Sequence, residues 1–366
     1  MKIQIIDNLE QLLSSESQWN SVAGDRCFFT WQWCASWYKE LATEEDDLHI
    51  ILGVDKDGRW LGIAPLMVSG RKLRFLGSGT ACSDYANLIV DQSNYNLFAE
   101  LVVKYLVTEF ANDGTLSSVD VFEIEGCGGG DRNLDYFCDL LQLNDFAKHE
   151  SETEGTWKVL LPASFEQLNA TFSKSMRRKT KAARKRLAEP DVEILFANEE
   201  NFSDLWGTFV RLHQKRRNAI GQLGCFADEN FQRFLQSATT GLMSLDRSDL
   251  LVINKSDAPV AAVLLIYCGE TCMMYQSGID PKMSSLEPGY QSVLASIEHA
   301  IENDFKYFDF LRGDEPYKAR WSTTREPIVR RKFIPPNMSA QLKHGTWVIG
   351  RSIKNYVNNF TQQEQN

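Results

Sequence analysis

The sequence predicts an α/β (α+β) fold built from two similar halves, each a mixed and mostly antiparallel sheet flanked by helices. Two observations lead to this prediction. Strand-like runs of apolar residues come between segments whose apolar residues recur at helical spacing. In addition, Val54–Ala64 aligns without gaps to Ile253–Val263, and Asp120-Val121-Phe122 resembles Asp309-Phe310-Leu311. A repeated order of elements indicates a duplicated unit.

A chain of 366 residues is long for one hydrophobic core, so two domains are expected. We place the first domain at residues 1–160, the second at 161–335, and a helical extension at 336–366. Pro335-Pro336 separates the extension, in which Ser339–Phe360 has a weak helical pattern.

The first half begins with a strand and two predicted helices. Thr30 is placed to cap the second helix, because Trp33, Trp37 and Leu41 then lie on one face. Asp57-Gly58 predicts a tight turn between two strands, and Gly126–Gly130 is expected to interrupt regular structure. The predicted elements are the strands Lys2–Ile6, His49–Asp55, Trp60–Val68, Leu73–Gly77 and Val119–Ile124, and the helices Leu9–Trp19, Thr30–Leu41 and Leu97–Phe110.

The second half opens at Ser164, whose spacing to Gln167 fits a capping box. Pro288-Gly289 begins a helix with an apolar face at Val293, Leu294, Ile297, Ala300 and Ile301. The other predicted elements are a basic helical segment Lys174–Leu187, the helix Phe202–Arg217, a helix capped by Asp228, and the strands Val192–Phe196, Leu250–Ile253, Val260–Tyr267, Thr271–Ser277 and Tyr307–Leu311.

Composition restricts the function. The net charge of −10 and the pI of about 5.2 argue against a general nucleic-acid-binding protein, because nonspecific binding depends on Lys and Arg at phosphates, and no DNA partner is expected. Eight cysteines without a Cys-x-x-Cys motif give no zinc pattern, so no metal is expected. No apolar run is long enough to span a membrane, and the first residues do not form a signal peptide. We therefore expect a cytoplasmic protein with reduced thiols.

The stretch Lys306–Trp321 has the pattern of a functional site. An apolar strand contains the acid Asp309 and ends at Arg312-Gly313-Asp314. Tyr317 and Lys318 follow within a few residues. Charged groups at the end of a buried strand are costly unless they are paired or used in chemistry. Asp309 and Asp314 are therefore candidate catalytic residues, with Arg312 and Tyr317 as candidate substrate contacts.

The order of elements in the second half resembles the acyl-CoA N-acyltransferase (GNAT) fold. The chain is more similar still to the CelD/BcsL-like acetyltransferases linked with cellulose and exopolysaccharide synthesis, in which two GNAT-like halves are fused. The residues that show this resemblance are Asp57-Gly58-Arg59, Ala64-Pro65-Leu66, Leu73–Gly77, Ser83-Asp84-Tyr85, Lys174, Met176-Arg177-Arg178, Phe226-Ala227-Asp228, Phe231, Phe234-Leu235, Gln276–Pro281, Pro288-Gly289, Phe308-Asp309-Phe310, Gly313-Asp314 and Tyr317-Lys318.

This resemblance implies acetyl-CoA or another acyl-CoA as co-substrate, bound where the pyrophosphate meets the backbone N–H groups of a helix N-terminus. Here Gly289, Tyr290 and Gln291 occupy that position, in a loop with one glycine, Glu287 and Pro288. It also implies a site between the two halves. Asp84 and Tyr85 would face this site from the first half, and Tyr275 and Gln276 would contact the substrate.

The basic segment and the loop leave alternatives open. FemABX-like peptidyl-transferases, which use aminoacyl-tRNA, share the doubled fold and a Tyr-Lys near the same place. This resemblance implies that Lys318 is a catalytic residue, which stabilises the oxyanion or a substrate phosphate. Arg177 and Arg178 are candidate contacts for CoA phosphates, for a nucleotide-sugar carrier or for tRNA. The leading hypothesis is an acyl-CoA-dependent N- or O-acyltransferase acting on a polar metabolite or a glycan or cell-envelope precursor. The alternatives are a FemABX-type transferase and a non-catalytic GNAT-like binding protein in polysaccharide biosynthesis.

Overall fold

The computed structural model describes residues 1–111, 113–337 and 340–342. Most of the predicted extension at 336–366, including nearly all of Ser339–Phe360, lies outside the described residues. Within the described chain the helices are α1 (Leu9–Leu13), α2 (Glu16–Ala23), α3 (Trp31–Leu41), α4 (Tyr95–Glu109), α5 (Arg132–Leu143), α6 (Phe165–Thr171), α7 (Lys174–Leu187), α8 (Phe202–Ala219), α9 (Glu229–Met243) and α10 (Pro288–Glu302).

The described strands are β1 (Lys2–Ile6), β2 (Asp46–Leu48), β3 (Ile50–Val54), β4 (Trp60–Ala64), β5 (Leu66–Ser69), β6 (Lys72–Phe75), β7 (Ile89–Val90), β8 (Val121–Gly128), β9 (Ala147–Leu160), β10 (Val192–Phe196), β11 (Ser248–Lys255), β12 (Ala258–Cys268), β13 (Thr271–Ile279), β14 (Tyr307–Arg312) and β15 (Thr324–Ile334). The expected fold class, mixed sheets flanked by helices, is confirmed.

The described chain forms two compact units. Unit 1 contains Met1–Val22, Thr43–Glu152 and the described residues from Val329 onward, and unit 2 contains Ala23–Ala42 and Thr153–Ile328. The segment Ala23–Ala42 therefore belongs to a unit otherwise made of residues far along the sequence. The predicted division of the chain into domains at residue 160 stays a prediction.

Unit 1 contains a four-stranded sheet in the order β1-β3-β4-β7 and a second set of strands in the order β2-β5-β6-β8. The predicted single strand Trp60–Val68 is wrong. It divides at Pro65 into β4 and β5, which pair in different sheets, and a proline has no N–H to continue a ladder. The expected break at Gly126–Gly130 is also misplaced, since β8 continues to Gly128 through a positive φ of 69° at Gly126.

Unit 2 contains the sheet order β10-β11-β12-β13-β14-β9, antiparallel except for the parallel pair β13–β14. The parallel pair follows from the connection through α10, which returns the chain to the same end of the sheet. Helix α10 buries the predicted face against this sheet, with Val293, Leu294 and Ile297 packed into a cluster with Phe308 and Trp321.

Local signals explain where several helices begin. The hydroxyl of Thr30 accepts from the N–H of Trp33, and that of Ser164 accepts from the N–H of Gln167. The carboxylate of Asp228 accepts from two N–H groups at the start of α9. These three predicted caps are confirmed.

Candidate functional site

Strands β13 and β14 pair over a short distance only. Their parallel ladder joins Thr271–Met273 to Tyr307–Asp309, and no described pairing extends it toward Ile279. Irregularities lie beside this point in both strands. Tyr275 is the extra residue of a bulge against β12, and β14 shifts register against β9 between Asp309 and Arg312. A bulge bends its strand and re-aims side chains, so the sheet opens beyond Met273.

A cavity of about 310 Å³ lies at this opening, beside the N-terminus of α10. We call it the α10 cavity. Its wall is largely apolar, and three cations, Lys179, Arg216 and Arg320, line it as well. The lining residues are Lys179, Arg216, Met274, Ser277, Ile279, Ser284, Glu287, Pro288, Gly289, Tyr290, Ser292, Val293, Tyr317, Arg320 and Trp321.

The N-terminus of α10 offers few donors to an anion. Pro288 has no N–H, and the N–H groups of Tyr290 and Gln291 donate to the carbonyl oxygen of Glu287 at 2.9 and 3.1 Å. Of the predicted cofactor residues, Gly289 and Tyr290 line the cavity, whereas Gln291 is buried and its side chain donates to the carbonyl of Leu286.

Glu287 provides a negative charge at this helix end. Its backbone has the left-handed φ of 53°, and its carboxylate forms ion pairs with Lys179 at 2.7 Å and Arg186 at 3.0 Å. The hydrogen bond from Lys179 holds the pKa of Glu287 below its usual value. An anionic ligand at the α10 N-terminus therefore has to share these two cations with Glu287.

Aromatic rings form one wall of the α10 cavity. Tyr290 and Trp321 stack with centroids 4.8 Å apart, and the Lys179 ammonium lies 4.7 Å from the Tyr290 centroid. The Tyr290 hydroxyl is 2.7 Å from the hydroxyl of Thr180, and burial raises its pKa. The contact with Thr180 therefore fixes the Tyr290 side chain in the wall of the α10 cavity.

Tyr317 and Arg216 present polar groups to the same cavity. Burial of Tyr317, whose ring packs edge-on to Phe310 at 6.0 Å, raises its pKa to about 12, so the phenol is protonated at neutral pH. Arg216 is half-buried and donates to the hydroxyl of Ser277 at 3.1 Å. Both side chains can donate hydrogen bonds to a bound ligand.

Lys318 lies outside the α10 cavity lining and is only 3% exposed. Its ammonium donates to the carbonyl oxygens of Leu311, Arg312 and Gly313 at 3.2, 2.8 and 3.0 Å, and Glu315 lies 2.9 Å away. An ammonium group has three N–H donors, and all three are used here. A catalytic role for Lys318 stays a prediction, but this geometry favours an anchor for the loop after β14.

The carboxylates of the two candidate acids form hydrogen bonds in β14 and in the loop after it. Asp309 is fully buried, and its carboxylate accepts from the N–H of Leu311 at 2.8 Å. Leu311 has a φ of 56°, so this bond stabilises a backbone conformation that costs energy for leucine. The carboxylate of Asp314 accepts from Trp157 and, in a bidentate pair, from Arg325, which lowers its pKa to about 2.

Neither acid lines the α10 cavity. The expected roles of Asp309 and Asp314 as catalytic acids or bases therefore have no geometric support, since each carboxylate holds the loop instead. Arg312 contributes its carbonyl oxygen to Lys318 and pairs in register with Thr156.

Tyr275 and Gln276 do not line the cavity, although Met274 and Ser277 on either side of them do. The ring of Tyr275 packs against Trp33 and Phe28, with centroids 5.4 and 5.9 Å apart. The bulge at Tyr275 determines which side chains face α10, and strand periodicity alone does not reveal it.

The remaining candidates have different surroundings. Arg177 donates to the carbonyl of Phe172 at 2.7 Å, and Arg178 is exposed on α7. In unit 1, Asp84 is buried, and the N–H of Tyr85 donates to the carbonyl of Gly126. Their roles in substrate binding stay predictions.

Sequence reasoning missed the three cations of the α10 cavity. Lys179 was one charge among many in the basic segment, and Arg216 lies in the run Gln214–Arg217 near the end of α8. Arg320 follows Lys318 closely but gave no separate signal. These three cations can be chosen as candidates only when it is known which helices pack near Pro288-Gly289, and the fold gives that information.

Two further properties concern the described residues only. They contain no group of His, Cys, Asp and Glu side chains placed to hold a metal ion. None of their helices combines the length and apolarity needed to cross a membrane.

Residues 172–319 match the family model for the acetyltransferase (GNAT) domain. This segment includes every α10 cavity residue except Arg320 and Trp321. The chain thus contains an acyltransferase domain, and the expectation of an enzyme is confirmed. A search of curated protein sequences found no match.

Solved structures with a similar fold cover nearly the whole chain. FemX matches with a TM-score of 0.61 at 12% identity, over 90% of this chain and 97% of that one. A conserved protein of unknown function from Bacteroides thetaiotaomicron gives 0.57 at 12% identity, covering 91% and 100%. The C-terminal domain of a putative lysylphosphatidylglycerol synthetase from Agrobacterium fabrum gives 0.55 at 10% identity, covering 93% and 97%. At these identities the likeness concerns the fold alone.

Proposed function

We propose that this protein transfers an acyl group from acyl-CoA, with acetyl-CoA as the simplest donor, to an amine or hydroxyl of a polar acceptor. The observation that supports this most is the α10 cavity. It lies where strands β13 and β14 separate, within the matched acetyltransferase domain, and it combines an apolar wall with Lys179, Arg216 and Arg320.

The size of the cavity fits only part of such a donor. A volume of about 310 Å³ is near the lower end of the roughly 300–1,000 Å³ usual for ligand pockets. We infer that the acyl thioester and the adjoining arm enter the cavity, while the phosphates remain at the rim. Arg216 and Arg320 are then the expected phosphate contacts, because guanidinium groups bind phosphate through paired N–H donors. Glu287 makes the helix N-terminus a weaker contact than a backbone nest.

Tyr317 is suited to act on the leaving group. A neutral amine attacks the thioester carbon, the C–S bond breaks, and the thiolate needs a proton. The Tyr317 phenol is protonated at neutral pH and lines the cavity, so it can donate that proton to the thiolate. The attacking amine gives up one proton to water as it becomes an amide, and the phenolate regains a proton from water. Beyond Met273, the edge of β13 that faces β14 has no described partner strand, and this edge is the expected source of donors to the oxyanion.

For the acceptor, we propose a small polar molecule or a glycan or cell-envelope precursor, as the resemblance to the CelD/BcsL-like branch implies. Cellulose or exopolysaccharide synthesis is then the expected pathway. The motifs shared with that branch support this assignment, and the three cations at the cavity are compatible with a phosphate-bearing carrier.

Calorimetry with acetyl-CoA tests the donor. We expect micromolar binding, and we expect acetylated product when the protein is incubated with acetyl-CoA and a panel of amino sugars and polyamines. The absence of both binding heat and a thermal shift with acetyl-CoA, propionyl-CoA and free CoA would overturn the proposal. Parallel runs at raised salt show whether phosphate contacts dominate, since they weaken with ionic strength.

A second candidate is an aminoacyl-tRNA-dependent transferase of the FemABX type. The specific observation in its favour is Glu287, an acid at the helix N-terminus expected for a pyrophosphate, whose carboxylate already pairs with Lys179 and Arg186. Helix α7 also presents exposed cations at Lys174, Arg178 and Lys181. The fold likeness to FemX is compatible with this candidate.

Fluorescence anisotropy with labelled tRNA separates the two candidates. A tRNA-dependent enzyme should bind tRNA with a steep salt dependence, and Arg177→Ala/Arg178→Ala should weaken it about tenfold. Unchanged tRNA affinity in that double variant, together with acetyl-CoA binding, would exclude the second candidate.

A further inference from the structure

Two cysteines from distant parts of the sequence meet in unit 2. Cys27 begins a short 3-10 turn (Cys27–Phe29) in the segment Ala23–Ala42, and Cys268 is the last residue of β12. The backbone N–H of Cys27 donates to the Sγ atom of Cys268 at 3.3 Å. The structure records both as free thiols.

The two backbones approach closely around this pair. The thiol of Cys268 donates to the carbonyl oxygen of Asp25 at 3.0 Å. A methyl group added to Gly269, which has a φ of 54°, would meet the Cβ atom of Asp25 at 3.5 Å. Arg247 lies 3.7 Å from the carboxylate of Asp25. Contacts on both sides of Cys27 and Cys268 therefore hold the two sulfur atoms in register.

We propose that Cys27 and Cys268 form a reversible disulfide when the protein meets a hydroperoxide. A bonded pair needs its sulfur atoms about 2 Å apart. The backbone N–H of Cys27 already lies 3.3 Å from the Sγ atom of Cys268, so rotation of the two side chains is the movement that the bond requires. The modification would join the segment Ala23–Ala42 covalently to the sheet of unit 2. This inference does not depend on the proposed acyl transfer.

The surroundings give the two thiols different parts in the reaction. Cys27 is 1% exposed, whereas Cys268, at the end of β12, is half-buried. Burial raises the pKa of Cys27, and the hydrogen bond from the Cys27 thiol lowers the pKa of Cys268. Thiolates react with peroxides, so Cys268 is the expected site of attack.

The chemistry balances with hydrogen peroxide as the oxidant. The Cys268 thiolate attacks one oxygen, the O–O bond breaks, and Cys268 becomes a sulfenic acid while the departing hydroxide is protonated to water. The sulfur of Cys27 then attacks the Cys268 sulfur and loses its proton, and the S–O bond breaks to release a second water. Two thiols lose two electrons and two protons in total, and a dithiol reductant reverses the reaction.

Two other sulfur-containing residues bear on the test. Met273 places its Sδ atom 3.8 Å from the Cys27 Sγ atom, but a thioether cannot form a disulfide. Cys82 is an exposed thiol in unit 1. Cys82→Ser therefore controls for general reactivity at the surface.

The full chain is treated with hydrogen peroxide, quenched by alkylation, and examined by intact mass and by peptide mapping without reductant. We expect a loss of two hydrogen atoms and a cross-link between the tryptic peptides 27–39 and 256–282. A dithiol should restore the mass and separate the two peptides. These peptides also contain Cys34 and Cys272, so fragment spectra and the variants Cys34→Ala and Cys272→Ala assign the bond.

Cys82→Ser should form the cross-link at the wild-type rate, and Cys268→Ser should form none. Because Cys27→Ala removes a buried group, Cys268→Ser is the milder test of the same bond. A wild-type protein that only gains oxygen at Cys268, or whose cross-link persists in Cys268→Ser, would overturn the proposal. Alkylation of Cys268 before peroxide should slow the loss of the Cys27 thiol at least about tenfold, and an unchanged rate would also contradict it.

Discussion

Two polar regions of unit 2 lie next to each other and differ in how their charges are satisfied. In β14 and the loop after it, the charged groups of Lys318, Asp309 and Asp314 bond to backbone or to partner side chains. In the α10 cavity, Arg216, Arg320 and Tyr317 line an open space. A buried charge whose bonds are complete stabilises a structure, whereas donors at a cavity remain available to a ligand.

The sequence favours the charges around Lys318 as the site, but these charges are internally paired, whereas the cations at the cavity are dispersed along the chain. Variants of the loop should therefore change stability, and variants of the cavity should change binding and turnover.

The largest effect is expected for Lys318→Met. It leaves the carbonyl oxygens of Leu311, Arg312 and Gly313 without their donor, a loss of about 3 kcal/mol. For a unit of this size, that corresponds to a thermal midpoint lower by roughly 8 °C. Differential scanning calorimetry measures it. Lys181→Met, at an exposed position on α7, is the control and should leave the midpoint nearly unchanged. An unaltered midpoint in Lys318→Met would contradict the view that the charges around Lys318 serve stability.

Tyr317→Phe should reduce turnover with acetyl-CoA about 30-fold, while the thermal midpoint changes little, because the phenol is the expected proton donor. Steady-state kinetics measure the loss. The matched variant Tyr290→Phe removes a hydroxyl already bonded to Thr180, so it should preserve turnover and lower stability instead. With a pKa of about 12, Tyr317 should cause no alkaline loss of activity between neutral pH and about pH 10. Equal turnover in wild type and Tyr317→Phe would remove Tyr317 from the mechanism.

Arg216→Ala and Arg320→Ala should each weaken acetyl-CoA binding about tenfold, because each removes a charge-assisted contact to phosphate. Isothermal titration at low and raised salt compares the variants, and their salt dependence should be smaller than that of wild type. Arg211→Ala lies on the same helix as Arg216 but outside the cavity, and should bind like wild type. If Arg211→Ala weakens binding equally, the α10 cavity is not the phosphate site.

The smallest effect is expected for Asp314→Asn, and it concerns the pH dependence of thermal stability. The folded pKa of Asp314 is about 2, below the unfolded value of about 3.9, so its contribution to stability is present above pH 4 and is lost as the pH falls toward 2. The pair with Arg325 is partly exposed, which limits the effect to about 2 °C at neutral pH. Thermal midpoints of wild type and Asp314→Asn should therefore converge near pH 2. Glu193→Gln, exposed on β10, should show no such convergence.

Sequence reasoning reached the fold class and many elements because their signals are local. Thr30, Ser164 and Asp228 cap helices as predicted, and the apolar face of α10 lies in the core. Strands β9 and β15 were not predicted. The exposed run Glu150–Glu154 in β9 lacks the alternation of a half-buried strand, so its pairing depends on partners far along the chain.

The caps, the strand and helix periodicities and each short motif of the family resemblance can be read from the sequence, since each depends on residues a few positions apart. Which polar groups are satisfied depends on the tertiary structure. Lys318 and Arg320 are two residues apart, yet one is buried against three carbonyl oxygens and the other lines the α10 cavity. The thiols of Cys27 and Cys268 likewise meet only because the segment Ala23–Ala42 packs in unit 2. Hydrogen bonding and burial depend on three-dimensional neighbours, and sequence spacing does not specify those neighbours.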